Sequence, residues 1–320
     1  MSKIFNSLVG HVVGDAMGTP VEFFMRKYLQ ESKVTEMLGD IGQHKEPVGS
    51  WSDDTSMELA TIDSIINKND INYDDIMNNF MLWIEKGKYT PTSHAFGVGR
   101  CCLKAIYSYK KGTPVLECGN MEKEHMSNGS LMRILPIALY SYVKKLSDSE
   151  IQELTNNVSA LTHRHESVQL ACFIYVMYVI DLLNDIDKDT AYTNMRKRKY
   201  NYSQESIDLY SRLLKEDIRK LKIDDINSSG YIVDTIEASF WCLLTNNSYE
   251  NTIIEAINLG QDTDTIAGIA GAMAGIVYGI DNIPKRWLDK LQCKDYLFEM
   301  FNKFEETIIC TEVSNNGTIN

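Results

Sequence analysis

The sequence predicts an all-α protein, a single-domain compact helical bundle, and three observations carry that prediction. Apolar residues recur at intervals of three and four along most of the chain, strand-like alternation bounded by turns is nearly absent, and two apolar stretches place glycine at every fourth position. The economical reading is one domain of about ten helices joined by short loops.

The first helix carries Gly10, Gly14 and Gly18. Each glycine costs about 1 kcal/mol of helix propensity relative to alanine, so close approach of another backbone is the compensation expected. Pro20 stops this helix near Gly18 and leaves Glu22 in the following loop, free to face a cleft. Helical spacing then runs over 56–66, 76–83, 101–109, 131–143 and 167–183, with Asn, Gly, Asp or Pro in the intervals. Residues 190–229 break the pattern: they are strongly charged, contain Arg196-Lys197-Arg198-Lys199 and include an amphipathic stretch over 207–221. They read as an exposed helical insertion whose basic run is a solvated face. Helices over 231–244 and 249–259 follow. The stretch 266–278 is a second central helix, with Gly271 and Gly275, Gly279 just beyond, and Ala267, Ala270, Ala272 and Ala274 among them. The domain is expected to span 1–310, with 311–320 a polar tail lacking fixed structure.

Composition excludes several classes. A chain of 320 residues that is 44% hydrophobic, with 19 Gly and 6 Pro, is globular. Its net charge of -12 argues against a nonspecific grip on nucleic acid or on an acidic membrane surface. The 7 cysteines are scattered without metal-ligand or redox spacing, which fits reduced thiols in a cytoplasmic protein. The longest apolar run, 266–280, falls short of the roughly 20 residues that cross a bilayer, and the amino-terminal segment lacks the order of a signal peptide.

The chemistry is concentrated in two acidic clusters, Ser52-Asp53-Asp54-Thr55 and Asp262-Thr263-Asp264-Thr265. Carboxylates this crowded repel one another unless a cation, a proton or a set of donors neutralises them. Hard oxygen ligands suit magnesium, calcium or manganese, and the hydroxyls of Ser52 and Thr265 could complete a shell. The competing reading is that each cluster caps a helix, since Asp and Thr favour N-caps and acids favour the positive end of the helix dipole.

Seven segments, in order, carry a resemblance: GDAMGTPVE at 14–22, WSDDTSM at 51–57, GKYTPTSHAFGVG at 87–99, NGSLMRILPIAL at 128–139, LTHRHE at 161–166, GYIVDTIEASFW at 230–241 and NLGQDTDTIAGIAGAMAG at 258–275. Through them the chain closely resembles the ADP-ribosylglycohydrolase family, whose members share an all-α fold around a pair of magnesium ions. The resemblance implies two Mg2+ ions, with Mn2+ an alternative, held by Ser52, Asp53, Asp54, Asp262, Asp264 and Thr265. It implies a cleft for ADP-ribose or an ADP-ribosylated acceptor lined by Asn128, Gly129, Ser130 and Met132, with His163 near the phosphates. Phe96, Gly97, Gly99, Gly230 and Tyr231 are further substrate-binding candidates, the aromatics by stacking on adenine or flanking ribose. The reaction it implies is hydrolysis of the glycosidic bond at the anomeric carbon of an ADP-ribosyl group, through an oxocarbenium-like state. Glu22, or the metal-bound Asp54, is left to take the proton from the attacking water. Two other readings stay open on the residues alone: a metal-dependent phosphoester or pyrophosphate hydrolase, and a non-catalytic ADP-ribose-binding or crystallin-like relative. The chain departs from many relatives at Gly97, where an acid is common near a leaving arginine. That departure leads to the expectation that arginine-linked ADP-ribose is a poorer substrate than an oxygen-linked one.

Overall fold

Helix starts in this chain are set largely by caps that the sequence supplies, and the computed structural model describes them over residues 1–315. α1 (Lys3–Gly18) opens at Ser2, whose Oγ accepts from Phe5 N. A 3-10 turn, Thr19–Val21, replaces it at Pro20, and α2 (Arg26–Glu31) follows. Ser52 caps α3 (Asp53–Lys68), Asn72 caps α4 (Tyr73–Lys86), and α5 (Arg100–Lys110) begins at Gly99 with no side-chain cap. The single helix expected over 131–143 is divided: a 3-10 turn at Leu131–Arg133 precedes α6 (Leu135–Lys144), because Pro136 has no N–H to continue an α-helical ladder through it. α7 (Asp148–Ala160), not foreseen from spacing, is set by a capping box between Ser147 and Glu150. α8 (Glu166–Leu183) and α9 (Lys188–Lys197) follow. The helix expected over 207–221 is instead α10 (Gln204–Leu209), α11 (Ser211–Leu214) and a 3-10 turn at Ile218–Lys220. The chain ends with α12 (Ile232–Thr245), α13 (Tyr249–Ile257), α14 (Thr263–Tyr278), α15 (Lys285–Leu288) and α16 (Lys294–Asn315). α16 carries helix beyond the expected domain end at 310, and residues 316–320 of the expected tail lie outside the described residues. Among the described residues there is no strand, only isolated bridges joining Asn120 to His163 and Ser127 to Tyr231.

The antiparallel pair of α1 and α14 is the most extensive helix contact in the molecule, and its glycines explain why. A Cβ on Gly10 would lie 2.2 Å from Gly271 O, one on Gly14 2.0 Å from Ala267 O, and one on Gly275 2.2 Å from Asn6 O. No side chain fits between these backbones, so the propensity lost at each glycine is offset by contact. The same pairing sets the site. A Cβ on Gly18 would lie 2.4 Å from Asp264 N, so the end of α1 abuts the acidic start of α14.

α8 is the one described helix long and apolar enough by length and composition to cross a membrane, but 78% of that stretch is buried inside the protein, as in a core helix. The insertion is also more integral than its charge suggested. Tyr192, Tyr210, Leu213 and Ile218 are fully buried, and the Tyr210 hydroxyl donates to Ser167 O at 2.6 Å. Arg26 donates to Ile223 O (2.8 Å), Ile226 O (2.6 Å) and Leu259 O (2.7 Å), tying the segment after Glu22 to the end of the insertion and the approach to α14. Within the basic run, Arg198 pairs with Asp148 and Arg196 donates to Lys215 O, so these cations are spent on the fold.

Candidate active site

The helix pairing brings the acidic clusters together, and Asp15 locks them in place. Its carboxylate accepts from Ser52 N (2.9 Å), Thr55 N (3.1 Å), Thr55 Oγ1 (2.6 Å) and Thr19 Oγ1 (3.0 Å), pinning the start of α3 to the end of α1. Asp53 and Asp54 occupy the first turn of α3, while Asp262 and Asp264 occupy the start of α14. Two helix N-termini therefore face one another across the cluster, and their dipoles favour negative charge. Glu22 joins from the loop after Pro20: ligand oxygens of Glu22, Asp262 and Asp264 lie within 4.8 Å of one another. These acids line one end of a cleft of about 550 Å³.

Every acid of the floor that titrates abnormally does so in the direction of holding its proton. Burial, then the charges of Glu22 and Asp15, holds Asp53 well above the usual carboxylate range; burial, then Asp15 and Asp53, does the same for Asp54. Burial followed by Glu22 and Asp54 raises Asp264 strongly. Asp262 is raised by burial, with the Asn128 hydrogen bond opposing: Asn128 Nδ2 donates to Asp262 Oδ2 at 2.5 Å. Glu22 is raised by burial against the opposing hydrogen bond of His44, whose Nε2 lies 2.6 Å from Glu22 Oε2. Asp54 Oδ2 is buried with no hydrogen-bond partner. An orphaned carboxylate oxygen among like charges fits the requirement for a hard divalent cation.

The acids, Asn128, Gly129, Met132, Gly97, Gly99, Gly230, Tyr231 and Thr265 all line the cleft. Four of the residues named from sequence do not. Ser52 is turned to capping, its Oγ accepting from Asp54 N at 3.3 Å. Phe96 packs on the His44 ring with centroids 5.2 Å apart. Ser130 is fully buried behind the wall, hydrogen-bonded to Ser159 at 2.9 Å. His163 is buried one layer back, 2.8 Å from Ser127 Oγ. Gly129 changes meaning: a Cβ there would lie 2.8 Å from both Cys102 Sγ and His163 Cε1, so the residues behind it exclude a side chain. Gly97 is constrained likewise, with φ +71 and a Cβ position 2.6 Å from Asp53 Oδ1. A side chain at this position would strike Asp53 of the acid floor, so close approach is one reason for the glycine.

Sequence reading gave no role to Asp15 or His44. Asp15 stood inside a quoted motif and its partners, Ser52 and Thr55, inside another, but nothing local linked them. His44 comes from an irregular loop and is held between Phe23 and Phe96, with centroids 6.5 and 5.2 Å away. Phe23 and Gln261 are both left-handed, with φ of 66° and 64°. They lock the Glu22 loop to the approach of α14 through Phe23 N to Gln261 O at 2.7 Å and Gln261 N to Phe24 O at 2.9 Å. Such strain in non-glycine residues persists where the surroundings over-determine it, often at functional sites.

A solved structure described as an ADP-ribosylglycohydrolase-related protein complex matches with a TM-score of 0.80 at 22% identity, covering 96% of this chain and 98% of that one, which defines the fold class. The chain belongs to the ADP-ribosylglycohydrolase family, whose sequence model matches residues 1–312. It is similar to the ADP-ribosylarginine hydrolase Tri1 of Serratia proteamaculans, at 30% identity over 91% of this chain and 75% of that one. It is similar also to the ADP-ribosyl-[dinitrogen reductase] glycohydrolase of Rhodospirillum rubrum, at 27% identity over 91% of each chain. The ADP-ribosylhydrolase ARH3 of Homo sapiens is 24% identical over 92% of this chain and 90% of that one. The protein is thus an ADP-ribosyl hydrolase, an enzyme of glycosidic linkages to ADP-ribose.

Proposed function

We propose that the protein is a magnesium-dependent hydrolase that cleaves the bond between an ADP-ribosyl group and its acceptor and releases free ADP-ribose. The observation that carries this is the floor of the cleft: Asp53, Asp54, Asp262, Asp264 and Glu22, buried together, with Asp54 Oδ2 unpartnered. Asp53, Asp54, Asp262 and Asp264, with the Thr265 hydroxyl, would hold two divalent ions, manganese being the substitute for magnesium. Bound there, the ions would supply positive charge for ribose oxygens and for charge developing at the scissile bond.

The remaining work falls to the chain's own groups. Glu22 receives the proton of the attacking water, and His44 holds one carboxylate oxygen so that the other is directed by a single hydrogen bond. Asn128 orients Asp262 through Nδ2 while its second contact, to Thr235 Oγ1 at 2.9 Å, fixes the amide. Across the cleft the uncapped start of α5, with Gly99, Arg100 and Cys101 lining the cavity, offers backbone N–H groups and a cation to a pyrophosphate. Tyr231, 37% exposed at the rim, is placed to pack on a base or ribose. The seven free cysteines support work in a reducing compartment such as the cytoplasm.

The test is incubation with magnesium and ADP-ribosylated arginine, serine and polymeric substrates, reading released products. The name of the Serratia relative makes the arginine adduct the first to try. Free ADP-ribose supports the proposal, whereas AMP as product, or no turnover of any adduct with either metal, overturns it.

A further inference from the structure

The segment that follows Glu22 is held rigid while its large apolar side chains face water. Phe23, Met25 and Tyr28 are 52%, 56% and 60% exposed, and Ile41 on the adjoining loop is 40% exposed. That loop packs on the same segment, since a Cβ on Gly42 would lie 2.3 Å from Pro20 O and 3.8 Å from the Phe24 ring. Met25 and Tyr28 stand three residues apart across the first turn of α2 and share a face. Scattered exposed apolar residues need no explanation, whereas a set gathered on one feature marks an interaction surface.

Local stability is given up to keep them there. Phe23 holds a left-handed backbone at φ 66°, a conformation that costs a non-glycine residue free energy. Met25 is the N-cap of α2 and makes no side-chain hydrogen bond there, where Ser, Thr, Asp or Asn would stabilise the helix. The backbone behind them is braced at both ends. Arg26 donates to Leu259 O, Ile223 O, Ile226 O and, at 3.1 Å, to Ser228 Oγ. Past α2, Asn258 Oδ1 accepts from Val34 N at 2.9 Å and its Nδ2 donates to Val34 O at 2.8 Å. Exposed apolar anchors on a fixed backbone lose little conformational freedom when a partner covers them.

We infer that Phe23, Met25, Tyr28 and Ile41 form a docking lip for a folded protein whose apolar surface flanks the ADP-ribosylated side chain. The inference rests on the reading above that places Glu22 at the scissile bond. Phe23 lines the cleft next to Glu22, so the lip is continuous with the place where that bond is cut. The adenine of an ADP-ribosyl group lies beyond the pyrophosphate from that bond, and the group nearest the bond on its other side is the acceptor. Met25, Tyr28 and Ile41 do not line the cleft, so an amino acid or metabolite acceptor held inside it leaves them in water, whereas a protein acceptor covers them. An apolar lip on a chain of net charge -12 favours a protein over a nucleic-acid end.

The experiment compares one linkage, that which wild type cleaves, on two carriers: a folded ADP-ribosylated protein and the same adduct on the free amino acid. Wild type should show the higher kcat/KM for the protein. Met25→Ser with Tyr28→Ser should lower kcat/KM for the protein by about tenfold, the scale of truncated interface anchors, through KM with kcat unchanged. The free adduct should be cleaved as before, and α2 is retained because serine is a favoured N-cap. Leu82→Ser with Ile309→Ser, on exposed residues of α4 and α16, should change neither substrate. A wild type that prefers the free adduct or an ADP-ribosylated nucleic-acid end, an equal loss on both carriers, no loss on the protein, or the same loss in the Leu82 and Ile309 variant overturns the inference alone. A wild type that cleaves no adduct removes the functional reading and this inference with it.

Discussion

The floor of the cleft and the wall behind it both bury charge, and they handle it in opposite ways. On the floor, like charges from α1, α3, α14 and the Glu22 loop are gathered so closely that burial and mutual repulsion push Asp53, Asp54 and Asp264 well above the ordinary carboxylate range. Among the described residues no Lys or Arg pairs with them, so their repulsion is relieved by protons unless a cation binds. Behind the wall, Arg133 is a single cation with no acid paired to it among the described residues, met by Thr162 Oγ1 and Val158 O. A third burial, beneath the floor, sets the His11 imidazole against the Glu58 carboxyl, two groups that can share one proton. The difference teaches that a crowded set of like charges holds protons until an outside cation relieves it, whereas an isolated buried cation is met by neutral dipoles.

The sharpest way to break the comparison is to empty the floor. Asp53→Asn with Asp264→Asn should abolish turnover, remove the rise in Tm that magnesium gives the wild type, and raise the Tm of the chelated protein by relieving repulsion. Magnesium at a hundredfold excess over its Kd should stabilise wild type by about 2.7 kcal/mol. The pH dependence follows in sign. These carboxylates have folded-state pKa values raised above 3.8 for Asp and 4.5 for Glu, so their contribution is complete below the unfolded range and is lost as pH rises through the raised values. The Tm gap between magnesium and chelator should therefore widen from pH 6 to pH 8. A double variant whose chelated Tm falls, or whose magnesium response persists, would show that the floor is not a cation site.

A smaller loss is expected at the proton-handling edge of the floor. Glu22→Gln should lower kcat by roughly 10²–10⁴-fold, the range for positioned acid–base groups. His44→Ala should lower it by about tenfold with little change in KM, since His44 contributes orientation rather than the proton acceptor itself. Equal losses in KM and kcat for His44→Ala would assign that residue to substrate binding instead.

Gly97 offers a milder perturbation of the same floor. Gly97→Ala places a Cβ 2.6 Å from Asp53 Oδ1 at φ +71, and should reduce magnesium affinity together with turnover of arginine-linked and serine-linked substrates in equal proportion. A change in the ratio of kcat/KM for the two adducts would give this position an acceptor role.

The least disruptive probe concerns the wall. His163 is held down at about 3 against 6.5 in the unfolded chain, so the stability tied to its neutral form is complete above pH 6.5 and drains as pH falls toward 3. At about 1.36 kcal/mol per unit, wild type should lose about 2 kcal/mol between pH 6.5 and pH 5 from this group. His163→Gln should show a shallower loss in denaturant titrations at the two pH values. Parallel slopes would mean that the histidine is already protonated in the fold.

Several features were legible because their causes lie within a few residues of one another. Helical periodicity identified α3, α4, α5, α8, α12, α13 and α14, and Pro20 released Glu22 from α1 as expected. The glycines of α1 and α14 announced a backbone contact without naming the partner, and each proved to be the other's. The capping box at Ser147 and Glu150 is a local signal for α7 that apolar spacing alone does not carry. The division of 207–221 was not available, since it depends on Tyr210 reaching Ser167 O in a different helix.

What the sequence determined by itself is the helical class, the need for close packing at the glycine-spaced faces, and a chemistry of crowded hard oxygen ligands, because propensity, spacing and charge are local properties. What only the tertiary structure decided is partnership. Asp15 became the pin between α1 and α3, and His44 the companion of Glu22. His163 was moved a layer behind the cleft, and Gly97 and Gly129 were bound to the side chains that face them. Those outcomes depend on contacts between groups tens of residues apart, brought together by irregular loops that carry no period. A residue's type limits which bonds it can make, and only the packed fold determines which atom stands at bonding distance.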